Sequence, residues 1–232
     1  MSPVSVRDPF IWTWNQESLG FLPQRALWRE DGRVLMVADL HLGKAESFQV
    51  QGIPIPSDGD AGTLNPLLAL CHHWNPTRLV ILGDLIHSRL GLTQQLRDVL
   101  RALPDLIDAE VDWIGGNHDR SSVIEGLPQQ RSQRLGRLWL SHEPERPPQD
   151  DGVLLNICGH VHPMGRIHGG GDQLRLPCFA FQPDHDRLII PAFGELTGGH
   201  DCDHRDPQWL VADGTIVPWL SPSHPSRRGA VV

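Results

Sequence analysis

The stretch Val34-Leu35-Met36-Val37-Ala38-Asp39-Leu40-His41 sets the reading of the whole chain. An unbroken apolar run suits a buried central strand, and a polar pair placed where the run stops lands at that strand's carboxyl end. The same pattern recurs downstream. Leu79-Val80-Ile81-Leu82 runs into Gly83-Asp84, and Val111-Asp112-Trp113-Ile114 runs into Gly115-Gly116-Asn117-His118-Asp119. Leu138-Trp139-Leu140 leads to Ser141-His142, and residues 153–158 lead to Gly159-His160-Val161-His162. Polar clusters that each follow an apolar run predict side chains gathered along one rim of a sheet, where open α/β sheets place their ligands.

Outward from this frame, Asp31-Gly32 between the apolar runs 26–30 and 34–38 predicts a hairpin. Residues 43–62 carry Pro54 and Pro56, show no clear period and read as a loop. Asn65-Pro66 predicts a helix start, with Asn65 as cap and Pro66 at the first helical position, running toward His73. Thr93 predicts a second cap, for a helix with apolar face Leu96, Val99, Leu100 and Leu103 that Pro104 stops. Further short strands are expected at 178–182, 187–190, 209–212 and 215–218. The first half alternates strand and helix and the second half is mainly β. The expected fold class is therefore α/β (α+β), a two-sheet β-sandwich flanked by helices. One domain is expected over residues 1–220, followed by a mobile Ser/Pro/Arg-rich tail at 221–232.

Composition narrows the chemistry. Thirteen histidines against three methionines favour metal binding or acid–base work over a plain packed core. The formal net charge of −8 argues against a broad nucleic-acid-coating surface, but not against a phosphate substrate, because bound cations would make a site locally positive. Cys71, Cys158, Cys178 and Cys202 form no C-x-x-C pair, so a zinc ribbon and a thioredoxin-like motif are disfavoured. No run of roughly 18–20 apolar residues is present, and residues 1–10 do not read as a signal peptide. No membrane association and a cytoplasmic location are the expectations.

The five clusters are Asp39-x-His41, Gly83-Asp84, Gly116-Asn117-His118-Asp119, His142 and Gly159-His160-x-His162. Mixed nitrogen and oxygen donors suit two borderline divalent ions about 3.5–4 Å apart, and a carboxylate has lone pairs enough to bridge both. Asp-x-His and His-x-His at strand ends are expected to share a face through the period-two pleat. Glycines 83, 116 and 159 are expected to let the backbone turn and approach the ions.

Taken in order, the clusters resemble the calcineurin-like metallophosphoesterase superfamily over roughly residues 34–200. The resemblance implies a first metal held by Asp39, His41, Asp84 and His162, and a second held by Asp84, Asn117, His142 and His160. Asp84 is the implied bridge. It implies His118 as a non-ligand histidine assisting the phosphoryl group or leaving oxygen, oriented by Asp119, although Asp119 also reads as a cap for a helix at 121–125. Asp39-Leu40-His41-Leu42-Gly43-Lys44, Ser47-Phe48, residues 52–56 and 191–199 are similar to a bacterial branch, the ligase-associated DNA-damage-response phosphoesterases. That branch implies a Mn-dependent phosphodiesterase or endonuclease, a DNA substrate, and functional association with a DNA ligase and a helicase. Iron, zinc, nickel and magnesium are alternative ions for the ligand set.

Several residues carry two readings. His87 either meets substrate or supports Asp84 as an outer partner. Lys44 and Arg89, both expected in loops, and Arg120 lie beside the clusters and are candidates for phosphate contact. The 194–199 stretch is expected to support the metal loops. His72, His73, His168, His185, His200 and His204 are expected at the surface, on a helix or in loops. Two functional rivals stand: a small-molecule phosphodiesterase or phosphatase, and a non-catalytic partner-binding scaffold. Oligomeric state, a homodimer included, is left open.

Overall fold

The computed structural model describes residues 8–53, 59–148, 152–169, 172–195 and 197–219. The expected tail at 221–232 lies outside them. Sixteen strands form two sheets among these residues. The first comprises β1 (Phe10–Trp14), β2 (Glu17–Leu22), β3 (Ala26–Arg29), β4 (Val34–Val37), β5 (Arg78–Leu82), β6 (Glu110–Ile114) and β7 (Gln129–Gln130), in that order. Strands β1 to β4 form an antiparallel meander, and β4 to β7 run parallel. The second sheet contains β8 (Ser132–Leu135), β9 (Leu138–Ser141), β10 (Leu155–Cys158), β11 (Pro163–Gly169), β12 (Asp172–Gln182), β13 (Arg187–Ile189) and β14 (His200–Asp201), with β15 (Gln208–Ala212) paired to β12 and to β16 (Thr215–Trp219). Three helices complete the fold: α1 (Lys44–Val50), α2 (Gly59–Trp74) and α3 (Gln94–Ile107).

The pleat sorts the apolar runs between two cores. Met36 and Ala38 with Val80 and Leu82 point between the sheets, where they meet Leu140, Ile157, Phe179 and Leu188. Their alternates Leu35, Val37, Leu79 and Ile81 face the other way, against Leu67 and Leu70 of α2 and Leu96, Leu100 and Leu103 of α3. A strand buried on both faces cannot alternate apolar with polar, which is why these segments read as continuous hydrophobic runs. The two-sheet sandwich with helices holds, the helices covering the first sheet.

Four local expectations are corrected. Lys44 lies in α1 rather than a loop, Arg89 opens a 3-10 turn at Arg89–Gly91, and α2 starts at Gly59, before Asn65. Pro66 sits inside α2 rather than at its first turn. Pro104 lies inside α3, which continues to Ile107 because Leu103 and Ile107 bury against the sheet. An interior proline costs about 3 kcal/mol, and burying two large aliphatic side chains at about 1.5–3 kcal/mol each offsets it. Thr93 does cap α3, its hydroxyl accepting from Leu96 N at 3.2 Å. The hairpin β11–β12 is additional to the sequence reading.

Candidate metal centre

The ligand residues follow the strands rather than lying on them. β4 ends at Val37, β5 at Leu82 and β10 at Cys158. Asp39, His41, Asp84, His160 and His162 all have positive φ, between 47° and 66°, as does Gly83 at 79°. Asp-x-His and His-x-His are therefore brought onto one rim by left-handed turns and not, as expected, by the period-two pleat. Asp and His tolerate this region better than most side chains, whereas Gly83 adopts it freely. Close approach adds a second demand. A Cβ at Gly83 would collide with the His142 ring, and one at Gly116 with Asp84.

Three groups of potential ligands result among the described residues, two of them built from the expected ligands. Asp39, His41 and His162 form the first, Asp84, His142 and His160 the second, and the third joins His41 to His87 and His118. Within the first, His162 Nε2 is 3.3 Å from Asp39 Oδ1 and 3.4 Å from His41 Nε2. Within the second, His142 Nε2 is 3.5 Å from Asp84 Oδ2, 3.1 Å from His160 Nδ1 and 3.0 Å from Asn117 Oδ1. Asp84 Oδ2 also lies 3.7 Å from His41 Nε2, so this oxygen faces both groups. Donor atoms about 2.1 Å from a shared ion stand roughly 3.0–3.4 Å apart in octahedral or tetrahedral arrangement. The observed separations match that spacing closely, and the residues fit two divalent ions.

Hydrogen bonds fix which imidazole nitrogen faces each group. His142 Nδ1 donates to Leu82 O at 3.0 Å and His162 Nδ1 donates to Gly198 O at 2.9 Å, because a carbonyl can only accept. Their Nε2 lone pairs are thereby turned inward. Asp39 accepts from the backbone N–H of His160 at 3.0 Å, and Asp84 Oδ1 from that of His118 at 2.9 Å. Gly194 N donates to Asp39 O at 3.1 Å and Gly198 O accepts from His162, so these two glycines support the loops of Asp39 and His162. Burial, with the neighbouring His162 and His118, pushes the His41 pKa down to about 2 and keeps its lone pairs available. Burial opposes the charged form of His162, but its hydrogen bond to Asp39, the charges of Asp39 and Asp84 and the Gly198 carbonyl together outweigh this and raise its pKa.

His118 is exposed beside the ligands, and its Nδ1 donates to His87 O at 2.8 Å. Asp119 does not orient it. The Asp119 carboxylate is fully buried and accepts instead from Ile86 N and Gly116 N, both at 2.9 Å, from Trp113 Nε1 at 3.1 Å and from Leu85 N at 3.3 Å. It joins the loop after β5 to the loop after β6, and no helix occupies 121–125. Burial drives its pKa upward against the pull of those amides. His87 supports His41 rather than Asp84: their Nδ1 atoms are 3.4 Å apart, and the His87 ring stacks on His118 at 5.2 Å. Burial and the nearby Lys44 lower the His87 pKa to about 4. Lys44 Nζ lies 5.8 Å from the centre of the Phe48 ring.

Arg120 is exposed and lines a groove that opens onto Asn117 and His142. His72, His73, His185, His200 and His204 are exposed, as expected, whereas His168 belongs to β11 and His200 to β14 rather than to loops. The backbone carbonyls that set the imidazole tautomers, and Arg131 in the groove, were not singled out from the sequence, since neither carries a motif. The four cysteines are free, with the Cys178 and Cys202 sulfurs 3.6 Å apart. No helix among the described residues is long and apolar enough to cross a membrane.

The structure resembles that of the nuclease MPE from Pseudomonas putida, at 28% identity and a TM-score of 0.72, over 91% of this chain and 100% of that one. More distant resemblances include a Vps29 mutant from Entamoeba histolytica (17% identity, 80% of this chain and 96% of that one, TM-score 0.36) and Vacuolar Protein Sorting 29 from Cryptosporidium parvum (14%, 80% and 94%, TM-score 0.33). None of the curated proteins compared with the chain matches it. The model of the calcineurin-like phosphoesterase family matches residues 32–186, which span the clusters from Asp39 to His162, and the chain belongs to that family as a metal-dependent phosphoester hydrolase.

Proposed function

We propose that this hydrolase is a phosphodiesterase of the nuclease kind, activated by Mn²⁺ and acting on DNA in repair. The observation that carries the reading is the pair of ligand groups facing Asp84, with His118 beside them. Two divalent ions held there would supply Lewis-acid activation of water and charge neutralisation on the phosphoryl group. The protein's own part is positional. Asp39 and Asp84 are anchored by backbone amides, and the carbonyls of Leu82 and Gly198 aim His142 and His162. With its Nδ1 hydrogen committed to His87 O, His118 presents Nε2 to the reacting group. Protonated there, it donates to the departing oxygen.

The nuclease reading draws on the likeness to the Pseudomonas putida enzyme, and the repair setting with a ligase and a helicase draws on the sequence segments around Lys44 and Gly194. The test is an assay of purified protein with Mn²⁺ on plasmid DNA, single-stranded oligonucleotide, cyclic nucleotides and phosphomonoesters. Cleavage of DNA is expected, with loss of both metal and turnover in Asp84→Ala. Hydrolysis of bis-p-nitrophenyl phosphate by Asp84→Ala at the wild-type rate sinks the mechanism. Turnover of cyclic nucleotides alone overturns the DNA substrate and favours the small-molecule alternative.

A further inference from the structure

We infer that the groove beside the second ligand group is a subsite for single-stranded polynucleotide, receiving the nucleotide next to the scissile bond. The inference rests on the phosphodiesterase reading above and names the form of its substrate.

The groove encloses about 520 Å³, within the roughly 300–1,000 Å³ range of ligand pockets and ample for one nucleotide. Asn117 and His142, both assigned to the metal centre, are part of its lining. A phosphodiester seated on that centre has two ester arms, and this groove adjoins the centre as a ready channel for one of them. Its walls come from three segments that leave the first and second sheets: the loop after β6 with Arg120, β7 with Arg131 just beyond it, and the turn after β9 with Glu143 and Glu145. These segments are tied together. Gln129 Nε2 donates to the carbonyls of Asp119 at 3.1 Å and Ser122 at 2.7 Å, holding the Arg120 loop against β7.

The groups facing the groove are chemically divided. Arg120 and Arg131 are exposed, and among the described residues neither guanidinium has a hydrogen-bond or ion-pair partner. A guanidinium offers a planar fork of donors that matches phosphate oxygens. Glu145 is occupied, since its Oε1 accepts from Trp139 Nε1 at 2.6 Å. The Glu143 carboxylate is exposed and without a partner among the described residues, and a carboxylate accepts from the amino groups that bases carry on their edges. Two cations and one free acceptor in one groove suit a nucleotide, phosphate and base together.

Charge argues against duplex. A duplex-binding face gathers many cations against closely spaced phosphates, whereas this chain has a net charge of −8 and its groove pairs two arginines with two glutamates. A base can enter such a groove edge-on only where it is not already paired, so an unpaired strand is the form that fits.

The test uses full-length Mn²⁺-loaded protein and Arg131→Ala, Arg131→Lys and Glu143→Gln variants. Turnover is measured on single-stranded deoxy- and ribo-oligonucleotides and on bis-p-nitrophenyl phosphate, which is too short to fill the groove. Binding is followed separately by fluorescence anisotropy of a hydrolysis-resistant phosphorothioate strand. Arg131→Ala is expected to raise the oligonucleotide KM about tenfold or more, the scale of one lost charge-assisted hydrogen bond. The ratio of oligonucleotide to bis-p-nitrophenyl phosphate kcat/KM should fall with it, and Arg131→Lys should restore part of the loss. The salt dependence of strand binding should flatten by about 0.7 in log–log slope. Equal losses on both substrates, or no loss on either, overturn the subsite. If wild type binds the strand through Arg131 yet never cuts it, the subsite stands and the nuclease reading fails. Cutting that ignores Arg131 and Glu143 leaves the nuclease reading standing and removes the subsite. Absence of both binding and cutting removes both.

Discussion

Replacing Asp119 separates two roles for a residue that lies one position from the proposed proton donor. Its carboxylate is fully buried and accepts from four N–H groups, three of them backbone amides of the loops that carry Asp84 and Asn117. Leaving a buried donor unmet costs about 1–3 kcal/mol. Asp119→Ala strands all four, roughly 4–12 kcal/mol before relaxation, against a whole-domain stability of about 5–15 kcal/mol. That variant is expected not to fold stably. Asp119→Asn is the informative change. Its best placement keeps the oxygen where Oδ2 accepts from Leu85, Gly116 and Trp113, and turns the amide toward Ile86 N. One backbone donor and the new amide then lack acceptors, a loss of about 2–6 kcal/mol. Urea denaturation with and without Mn²⁺, together with metal content, reads this out. The expected result is a lower midpoint and weaker retention of metal. Wild-type stability and full metal content alongside a collapse in turnover would refute the loop-joining role and return Asp119 to orienting His118.

Gly83→Ala is expected to lose metal and activity together, because it combines a left-handed backbone, at about 1–2 kcal/mol, with a collision against His142; elemental analysis of the purified variant checks it. His118→Ala is expected to keep both ions and slow turnover by about 10²–10⁴-fold, seen as normal metal content with reduced kcat. For His87 the pKa is lowered in the folded protein, to about 4, so the unfolded chain takes up protons first as pH falls below about 6.5. Its contribution is therefore fully present above that value and declines toward pH 4. Chelator-treated wild type should lose melting temperature relative to His87→Asn between pH 7 and pH 4.5, and parallel curves would contradict this.

Much of the centre was legible because each ligand cluster trails an apolar run, and burial on both faces makes such runs continuous. Asp39, His41, Asp84, Asn117, His142, His160 and His162 meet on one rim as that pattern implied. What failed was local and physical. Pro66 and Pro104 read as boundaries, yet tertiary burial carries both helices through them. Lys44 to Val50 reads as a loop because Gly43 and the later prolines obscure a helix of only seven residues. Asp119 follows His118 in sequence, so adjacency suggested a partnership, but successive side chains point apart and its carboxylate faces the interior. Of the groove's arginines and glutamates only Arg120 was legible, from its place beside the His118 cluster; Arg131 and Glu143 join it only after three separate segments have folded.

The left-handed turns at five of the ligand positions have an evolutionary corollary. At these sites the chain selects a residue twice, once for its donor atom and once for its tolerance of the turn. Asparagine can replace aspartate there and keep the backbone path while surrendering charge; valine surrenders both, since β-branching is poorly tolerated at positive φ. Descendants that abandon hydrolysis should therefore drift first through Asn and Gly at positions 39, 41, 84, 160 and 162, preserving the rim's contour long after its ions are gone.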